Sequence, residues 1–396
     1  MFKSRQLIIG LIVSLIFFAL ALVDIKPDQV WSALQKANYW VLIPALALYF
    51  AGVVVRAVRW RILLRPVLSG KKTSLLNIFE VVVIGYMAND ILPARIGELV
   101  RAYVLGIREN VRKTATLATI LVERIFDGLT MVGFAATAIL FIILLDNDAL
   151  TTGADHKLGT FLQQLSTPVV IGSVLFLGLL IVFLVVASSR DRTERLARAG
   201  LRFLPGRLHE RVERLLVSFI DGLGSLRSPS SMASVLGLSI LAWLFEAGMY
   251  YVIGMYGFDL RGSDGQPLPL YVYVMTTAFA NLGLLIPGGP GGVGIFEAIG
   301  KAVLVGAFGV APDPAISYVL VLHATLLIPV TLLGFYYMAR QSLSYGDLVK
   351  LEQTRAEASR DAHELEGPLT DIELTQQGRI TAGEAEGELE RAGENK

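Results

Sequence analysis

One short stretch, residues 89–101, carries the side chains best suited to chemistry in an otherwise apolar chain. Its capping, turn-forming and charged positions are Asn89, Asp90, Pro93, Arg95, Glu98 and Arg101. The first two can cap a helix, the proline suits a first turn, and the last three share one helical face. A helix N-terminus beside a guanidinium binds anions, so the pattern predicts a phosphate-headgroup site. The alternative is a structural network that holds the segment together.

A second group of charges lies in the sequence LVERIFDGL, residues 121–129. Glu123 and Asp127 are one helical turn apart on one face, with Arg124 beside them. Two interpretations stay open. The carboxylates either pair with Arg95 and Arg101 as structural counter-ions, or they accept a proton or a cation that couples to transport.

A third stretch, IPGGPGGVGIFE, offers small residues and backbone N–H groups at the start of a helix. Such a turn either holds an anion or lets two backbones approach closely. Its candidate residues are Pro287, Gly288, Gly289, Gly291, Gly292 and Glu297.

Two polar residues, Glu246 and His323, each stand alone in an apolar run. A buried polar side chain of this kind is usually bonded by a neighbouring helix, although either residue could act directly. Glu246 is kept as a candidate counter-ion or coupling residue.

The composition places these residues in a membrane protein. Of 396 residues, 54% are hydrophobic and 17% are charged, below the roughly 25% charge of soluble domains. The net charge of +1 does not indicate a nucleic-acid-binding protein, since such proteins carry a clear excess of basic residues. The chain has no cysteine and its four histidines lack metal-ligand spacing, so we expect no metal site and no cofactor.

Six apolar segments are long enough to cross a bilayer core of about 30 Å. They are residues 7–23, 39–55, 115–145, 168–187, 232–256 and 315–338. Basic residues gather before the first span, after the fourth, and after the second, where they are Arg56, Arg59, Arg61, Arg65, Lys71 and Lys72. The opposite loops together carry more Asp than Lys and Arg. The positive-inside rule then predicts a multi-pass protein of the inner (cytoplasmic) membrane with both termini in the cytoplasm.

Two further apolar regions enter the membrane and return on the same side. Residues 74–107 begin and end beside basic residues, and residues 269–310 begin and end beside outside loops. Each is broken in its middle, and non-helical backbone at bilayer depth is tolerated only when buried in protein or lining a wet cavity. The predicted fold is therefore an all-α polytopic membrane protein with about six spans and two oppositely oriented broken-helix hairpins. The depth of the hairpin tips stays open.

The order of these segments predicts two inverted repeats, residues 1–150 and 151–340, each with three spans and one hairpin. The second repeat contains a linker, residues 188–230, whose alternating Arg, Glu and apolar residues predict an amphipathic helix pair on the cytoplasmic side. Residues 27–38 predict a short amphipathic outer helix. Residues 341–396 have no sustained apolar stripe, and we expect this tail to be mostly disordered.

Three motifs, taken in this order, resemble the lysylphosphatidylglycerol synthase transmembrane region, also called the flippase-like domain family. They are N-D-x-L-P-A-R-x-G-E-x-x-R at 89–101, E-R-x-x-D at 123–127 and P-G-G-x-G-G-x-G-x-F-E at 287–297. The resemblance covers roughly residues 5–340. It implies a membrane region that moves a lipid across the bilayer. In the best-known relatives this region is joined to a domain that transfers lysine or alanine to phosphatidylglycerol, but only about 58 residues follow Met338, so we expect the flippase part alone.

We therefore expect a lipid flippase, without enzymatic activity, whose cargo is a phosphate-bearing aminoacyl-, glyco- or polyprenyl lipid. The two hairpins would meet near the centre and hold the headgroup. One alternative is a membrane-embedded scaffold or subunit for a separate lipid-modifying enzyme. Two others are an enzyme acting on lipid phosphates, disfavoured because no nucleophile or metal cluster is visible, and a transporter of small polar solutes. A second copy of the chain and a lipid-modifying enzyme stay open as partners.

Overall fold

A computed structural model of the protein describes residues 5–92, 96–145 and 228–340, together with the isolated residues 178, 195, 220 and 224. Within these ranges the chain is helical, and the only β pairing is a single bridge between Arg261 and Pro267. The predicted span 168–187, most of the linker 188–230 and the tail 341–396 lie outside the described residues. Pro93 and Arg95 lie outside them as well.

The described helices follow the predicted order of spans and hairpins. The first half contains α1 (Arg5–Ala21), α2 (Pro27–Lys36), a 3-10 turn (Tyr39–Val41) leading into α3 (Leu42–Leu63), α4 (Arg65–Leu68), α5 (Leu75–Ile91), α6 (Gly97–Arg108) and α7 (Lys113–Leu145). The second half contains α8 (Pro229–Val252) with a π-helical end (Ile253–Gly257), α9 (Leu270–Gly283), a 3-10 turn (Pro290–Gly292), α10 (Ile295–Lys301) with a π-helical end (Ala302–Ala307), and α11 (Pro312–Arg340).

Several of these segments are long and apolar enough to cross a membrane. In the described part they are Tyr39–Leu63, Pro229–Gly257, Pro290–Ala307 and Pro312–Arg340, and the shorter Ile8–Ala21 is also apolar. The prediction of an all-α polytopic membrane protein is confirmed.

The second span is longer than the sequence predicted. Because α3 continues to Leu63, Arg56, Arg59 and Arg61 lie within the helix and not in the loop after it. Arg56 is only 4% exposed, and Arg59 is fully buried. The prediction that this span ends at Val55 is wrong, because carboxylates on other helices neutralise the two buried arginines and let the helix carry charge inside the protein.

One end of the helical bundle carries the loops that contain residues 64–74 and 109–112, which we call the basic face. There Lys71 Nζ donates to the carbonyl oxygen of Glu109 at 2.8 Å. The chain that enters α5 therefore lies beside the chain that leaves α6. The first hairpin, α5–α6, opens to the basic face.

The other end of the bundle, which we call the opposite face, carries residues 258–269 and 308–311. Ser263 N–H donates to the Phe308 carbonyl oxygen at 3.3 Å, so the second hairpin, α9–α10, opens here. At the start of α3, Asn38 N–H donates to the Gly257 carbonyl oxygen at 2.9 Å. Since α3 runs from this end to the basic face, the two hairpins enter from opposite sides, as predicted.

Small residues and one capping amide hold the first hairpin closed. Asn89 Oδ1, near the end of α5, accepts a hydrogen bond at 2.7 Å from the N–H of Gly97, the first residue of α6. A Cβ on Gly97 would lie 2.0 Å from the Gly85 carbonyl oxygen, and a Cβ on Gly85 would lie 2.2 Å from Cγ of Arg101. Only glycine lets the two arms lie this close.

The second hairpin turns through glycines in the left-handed region of backbone conformation. Gly291, Gly292 and Gly294 have φ angles of 64°, 70° and 91°. Helix α1 packs against this turn, where Gly289 N–H donates to Ser14 Oγ at 2.8 Å. A Cβ on Gly294 would lie 2.1 Å from the Ser14 carbonyl oxygen. The first span therefore packs against the tip of the second hairpin and stabilises it.

The two hairpin tips meet near the middle of the bundle. A Cβ on Gly291 would lie 3.5 Å from the Asp90 carbonyl oxygen. Helix α11 contacts both tips, since Thr331 donates to Asp90 and His323 bonds to the Gly291 carbonyl oxygen. At about 1.5 Å of rise per residue, Thr331 lies about 14 Å from Arg340 and His323 about 17 Å from the start of the helix. The prediction that the hairpins meet near the centre is confirmed, and both tips contact the middle part of α11.

Between these two contacts α11 contains a proline, Pro329. Proline has no N–H, so the helical hydrogen bond to the Thr325 carbonyl group is missing, and the ring crowds that turn. The part of α11 before Pro329 contacts the second hairpin through His323. The part after it contacts the first hairpin through Thr331 and Gly334.

Helices from the two halves pack in corresponding pairs. The second spans, α3 and α8, pack against each other. The first arm of each hairpin packs against the last span of the other half, as α5 on α11 and α9 on α7. The second arms, α6 and α10, pack on the last spans of their own halves, α7 and α11. Two inverted repeats would produce this exchange, but the boundary at residue 150 lies outside the described ranges and stays a prediction.

Single cysteines are expected to place both ends of the first hairpin on one side of the membrane. The chain contains no cysteine, so Lys72→Cys and Lys113→Cys each add one thiol. Both thiols should react with an impermeant maleimide from the same side of sealed vesicles, because α5 and α6 return the chain to the basic face. Asp264→Cys should react only from the other side. Reaction of residues 72 and 113 from different sides would contradict the hairpin.

Candidate functional site

Arg59 of α3 lies at the centre of a buried cluster of charges. Its Nη1 donates to Asp127 Oδ1 at 2.6 Å and to Ser239 Oγ at 2.7 Å, and its Nη2 donates to Glu123 Oε1 at 3.0 Å. Trp243 Nε1 donates to the same Asp127 Oδ1 at 2.9 Å. One guanidinium thus joins α3, α7 and α8.

Arg101 of the first hairpin reaches the same carboxylates from the other side. Its Nη2 lies 2.7 Å from Glu123 Oε2, but its N–H bonds are not aimed at that oxygen, so the contact is an ion pair without a hydrogen bond. The guanidinium stacks over the ring of Trp60, with Cζ 4.0 Å from the ring centre. The predicted pairing of Arg101 with Glu123 is present.

Arg56 forms the third pair, with a carboxylate that the sequence showed as isolated. Arg56 Nη2 donates to Glu246 Oε2 at 2.6 Å, and its guanidinium lies over the ring of Trp243, 4.5 Å from the centre. Asn281 Nδ2 donates to Glu246 Oε1 at 3.3 Å. Glu246 is therefore bonded by neighbouring helices, as is usual for a buried carboxylate.

These buried residues form a set that we call the arginine cluster: Arg56, Arg59, Arg101, Glu123, Asp127 and Glu246. The cluster holds three guanidinium groups and three carboxylates, so its charges balance. A balanced and hydrogen-bonded set can stay ionised away from water. The geometry favours a counter-ion role for Glu123 and Asp127 over uptake of a coupling proton, and the coupling role stays a prediction.

Not every polar atom around the cluster is satisfied within the protein. Arg124 approaches Asp127 only to 3.8 Å. Among the described side chains, the buried Nε atoms of Arg59, Arg101 and Arg124 and the Oε2 atom of Glu98 have no hydrogen-bond partner, while Arg101 Nη2 has only its ion pair with Glu123. Buried guanidinium donors left without an acceptor are costly, and the oxygen atoms of an anion or of water would satisfy them.

Four of the six site residues predicted in the first hairpin are described by the structure, and two are not. Asn89 caps α6, while Asp90 does not, because its Oδ2 accepts from Thr331 Oγ1 at 2.7 Å on α11. Of the two residues that can cap the second arm, Asn89 makes the bond to α6, and Asp90 bonds to α11. Both Glu98 and Arg101 lie in α6, where Arg101 belongs to the arginine cluster and Glu98 lies one turn before it. Pro93 and Arg95 fall outside the described residues, and their phosphate-binding role stays a prediction.

The tip of the second hairpin is a bonded turn. Pro287 is exposed, and Gly288 lies beside α1, where its carbonyl oxygen would be 2.8 Å from a Cβ on Gly10. The N–H groups of Gly289, Gly292 and Gly294 donate to Ser14, to a backbone carbonyl and to Glu297 respectively. These three donors are therefore not free for an anion.

His323 is not isolated as the sequence suggested. Its Nδ1 lies 2.6 Å from Glu297 Oε1, and its Nε2 lies 3.1 Å from the Gly291 carbonyl oxygen. Phe296 stacks on the imidazole with 4.3 Å between ring centres. His323 thus links α11 to both the tip and the second arm of the hairpin.

A cavity of about 470 Å³ opens at the basic face, next to the end of α3. It has a wall of apolar side chains and a rim of basic ones; the lining is Val58, Arg61, Ile62, Arg65, Leu68, Gly70, Lys71, Lys72 and Thr73. Among the described residues, no carboxylate pairs with these four basic side chains. A pocket of this size and character fits a phosphate group with apolar chain attached.

Sequence reasoning missed Arg59 and the Glu297–His323 contact. Arg59 was assigned to a loop because arginines after an apolar run usually mark its end. The signal against this was the apolar run Ile62–Leu64 beyond Arg61, with Arg56 and Arg59 three residues apart on one face. Residues 297 and 323 are distant in sequence, and no local pattern joins them.

Apolar membrane-spanning helices that surround two broken-helix hairpins and buried ion pairs define an all-α polytopic membrane protein. The chain belongs to the lysylphosphatidylglycerol synthase transmembrane-region family, whose sequence model matches residues 7–334.

Curated proteins similar to this chain come from archaea. Glycosyltransferase AglD of Haloferax volcanii is 27% identical over 334 residues, which cover 81% of this chain and 52% of that protein. A UPF0104 membrane protein of Methanothermobacter thermautotrophicus is 26% identical over 317 residues, covering 76% of this chain and 86% of that protein. The chain thus spans about half the length of the glycosyltransferase and most of the UPF0104 protein.

Proposed function

We propose that this chain is a lipid transporter that moves a phosphate-bearing lipid between the two leaflets of the inner (cytoplasmic) membrane. The observation that carries the proposal is the meeting of two hairpins from opposite faces, near the middle of the bundle, beside guanidinium donors without acceptors. Access to the centre changes sides when one half moves relative to the other. The proposal assigns no chemical reaction to the chain.

The electrostatics support a phosphate group as the part that is recognised. The cavity at the basic face offers Arg61, Arg65 and Lys72 as first contacts, and Arg101 and Arg124 hold unused donors deeper in the bundle. We propose that the headgroup arrives at the cavity from the cytoplasmic leaflet and that Arg95 and Arg101 hold its phosphate at the hairpins. This orientation places both termini in the cytoplasm. The acyl or polyprenyl chains stay in the lipid.

Among the cargo classes, the similarity to a glycosyltransferase favours a lipid that carries sugar, with aminoacyl and polyprenyl lipids as the other candidates. The same similarity supports a second candidate function. Because the matching region accounts for only half of that glycosyltransferase, a region of this family occurs together with further chain, and this protein would serve as the membrane subunit of a lipid-modifying enzyme.

Transport of a labelled phospholipid tests the proposal. Proteoliposomes containing nitrobenzoxadiazole-labelled phosphatidylglycerol should exchange the label between leaflets faster than protein-free vesicles. Arg95→Lys keeps the charge but loses the bidentate fork, and Arg95→Gln loses both, so each should slow exchange about tenfold or more. Arg261→Gln is the matched control, because this arginine is exposed on the opposite face and pairs only locally with Asp259.

Two results would decide against the phosphate site or against transport. Full exchange in both Arg95 variants would remove the assigned role of Arg95. Exchange no faster than in protein-free vesicles, together with a modified lipid product in the presence of a co-purifying enzyme, would favour the subunit function. Mass spectrometry of lipids that co-purify with the chain would then identify the cargo class.

A further inference from the structure

The contacts of His323 require more protons than a neutral imidazole holds. Its Nε2 faces the Gly291 carbonyl oxygen, which only accepts hydrogen bonds, so Nε2 must carry a proton. Its Nδ1 faces Glu297 Oε1 at 2.6 Å, so a second proton must lie between these two atoms. Glu297 Oε2 is already used, because it accepts from Gly294 N–H at 2.7 Å.

We propose that Glu297 and His323 form a proton-binding site that holds the two hairpin tips together. The bound proton lies on Nδ1 as part of an imidazolium beside a carboxylate, or on Glu297 beside a neutral ring. In both forms the pair has no net charge. Both residues are less than 5% exposed, so the site is closed to bulk water in this conformation.

Loss of this proton must break one of the two contacts. A neutral ring can keep its proton on Nε2 and lose Glu297, since two lone pairs would then face each other at 2.6 Å. Otherwise it keeps its proton on Nδ1 and loses the Gly291 carbonyl oxygen, because two acceptors then face each other there. Gly291 contacts Asp90 at the tip of the first hairpin, so deprotonation loosens the junction between the hairpins.

Other charged and titratable groups lie on the described helices that pack against α11. Asp90 of α5 lies within electrostatic reach of His323 and accepts from Thr331, so it is the rival carboxylate. The other groups are Glu80 with Arg108 and Arg340, Lys301 with the Ala21 and Val23 carbonyl oxygens, Arg56 with Glu246, Arg59 with Asp127 and Glu123, the buried Tyr49, the half-buried Tyr86, and the exposed Asp28, Lys36, Arg61 and Tyr256.

The inference adds proton coupling to the proposed transport, but it can be tested without any transported lipid. Spin labels on Leu285→Cys and Ile107→Cys, both exposed apolar positions, report the distance between the second hairpin's tip region and the first hairpin. In nanodiscs of phosphatidylcholine, the distance distribution should lengthen or broaden as the pH is raised from about 5 to about 9, because a higher pH favours loss of the bound proton.

Glu297→Gln is the decisive variant. Its amide N–H can donate to Nδ1 while Nε2–H donates to Gly291, so every contact is satisfied without the extra proton. The variant should keep the short distance at all pH values, and His323→Gln should also lose the pH response. Asp90→Asn should keep it.

A wild-type distance that ignores pH would overturn the proposal. So would a Glu297→Gln protein that responds as the wild type does, or a response that only Asp90→Asn abolishes. If these distances behave as expected while labelled lipid fails to cross, the proton site stands and the transport proposal falls.

Discussion

Replacing Arg59 by glutamine is expected to remove most of the folded protein. The change leaves Glu123 and Asp127 as buried carboxylates without their central partner, and leaving such a charge uncompensated costs about 3–5 kcal/mol of unfolding free energy. Arg101 still pairs with Glu123 at 2.7 Å, but among the described residues Asp127 keeps only Arg124 as an ion-pair partner, whose Nη2 lies 3.8 Å away, so the larger loss falls on Asp127. The measurement is the yield and thermal midpoint of purified protein in detergent.

Arg61→Gln is the matched control for this prediction. Arg61 lies on the same helix two residues away, but it is exposed at the cavity, so its loss should leave the midpoint nearly unchanged. The double variant Arg59→Gln, Asp127→Asn should recover part of the lost stability, since it removes one uncompensated charge. If Arg59→Gln and Arg61→Gln are equally mild, the arginine cluster does not stabilise the fold.

Replacing Gly97 by alanine is expected to force open the first hairpin. The added Cβ would lie 2.0 Å from the Gly85 carbonyl oxygen and 2.5 Å from Asn89 Oδ1, so the two arms must separate and the cap must break. Overpacking of this kind costs about 1–3 kcal/mol, and the displaced tip also loses its place beside Gly291. We expect a lower thermal midpoint together with loss of labelled-lipid exchange in proteoliposomes.

A glycine in open space provides the comparison. Gly133 of α7 would have no atom within 4 Å of an added Cβ. Gly133→Ala should therefore raise stability slightly, by up to about 1 kcal/mol, since alanine favours a helix more than glycine does. The two substitutions are chemically the same and should have opposite signs. A midpoint for Gly97→Ala at or above the wild type would show that the arms can adapt.

The helical plan of this protein could be predicted because it follows from local properties of the sequence. Long apolar runs predict spans, and Pro93 or the glycines near 291 predict breaks wherever they interrupt such a run. Basic and acidic loops then fix which breaks belong to which face. The two hairpins follow from these rules with no knowledge of side-chain contacts, but the rules leave the depth of the hairpin tips open.

The pairing of charges could not be predicted in the same way. Arg56 and Glu246 are 190 residues apart, so their contact depends on how α3 packs on α8. The rule that places arginines in loops also moved Arg59 out of its helix, because the rule describes arginines facing lipid or water and not those facing a carboxylate. His323 stood alone in sequence for the same reason, since its partners arrive from another helix.

The proline in α11 has a mechanical consequence. A rigid α11 would transmit any displacement of one hairpin to the other, because His323 of this helix contacts the second hairpin and Thr331 contacts the first. Pro329 lies between these two contacts and removes one backbone hydrogen bond of the helix, so α11 can bend there. The parts of α11 before and after Pro329 can then move separately. In the proposed transport cycle, this pivot would let one hairpin move while the other stays in place.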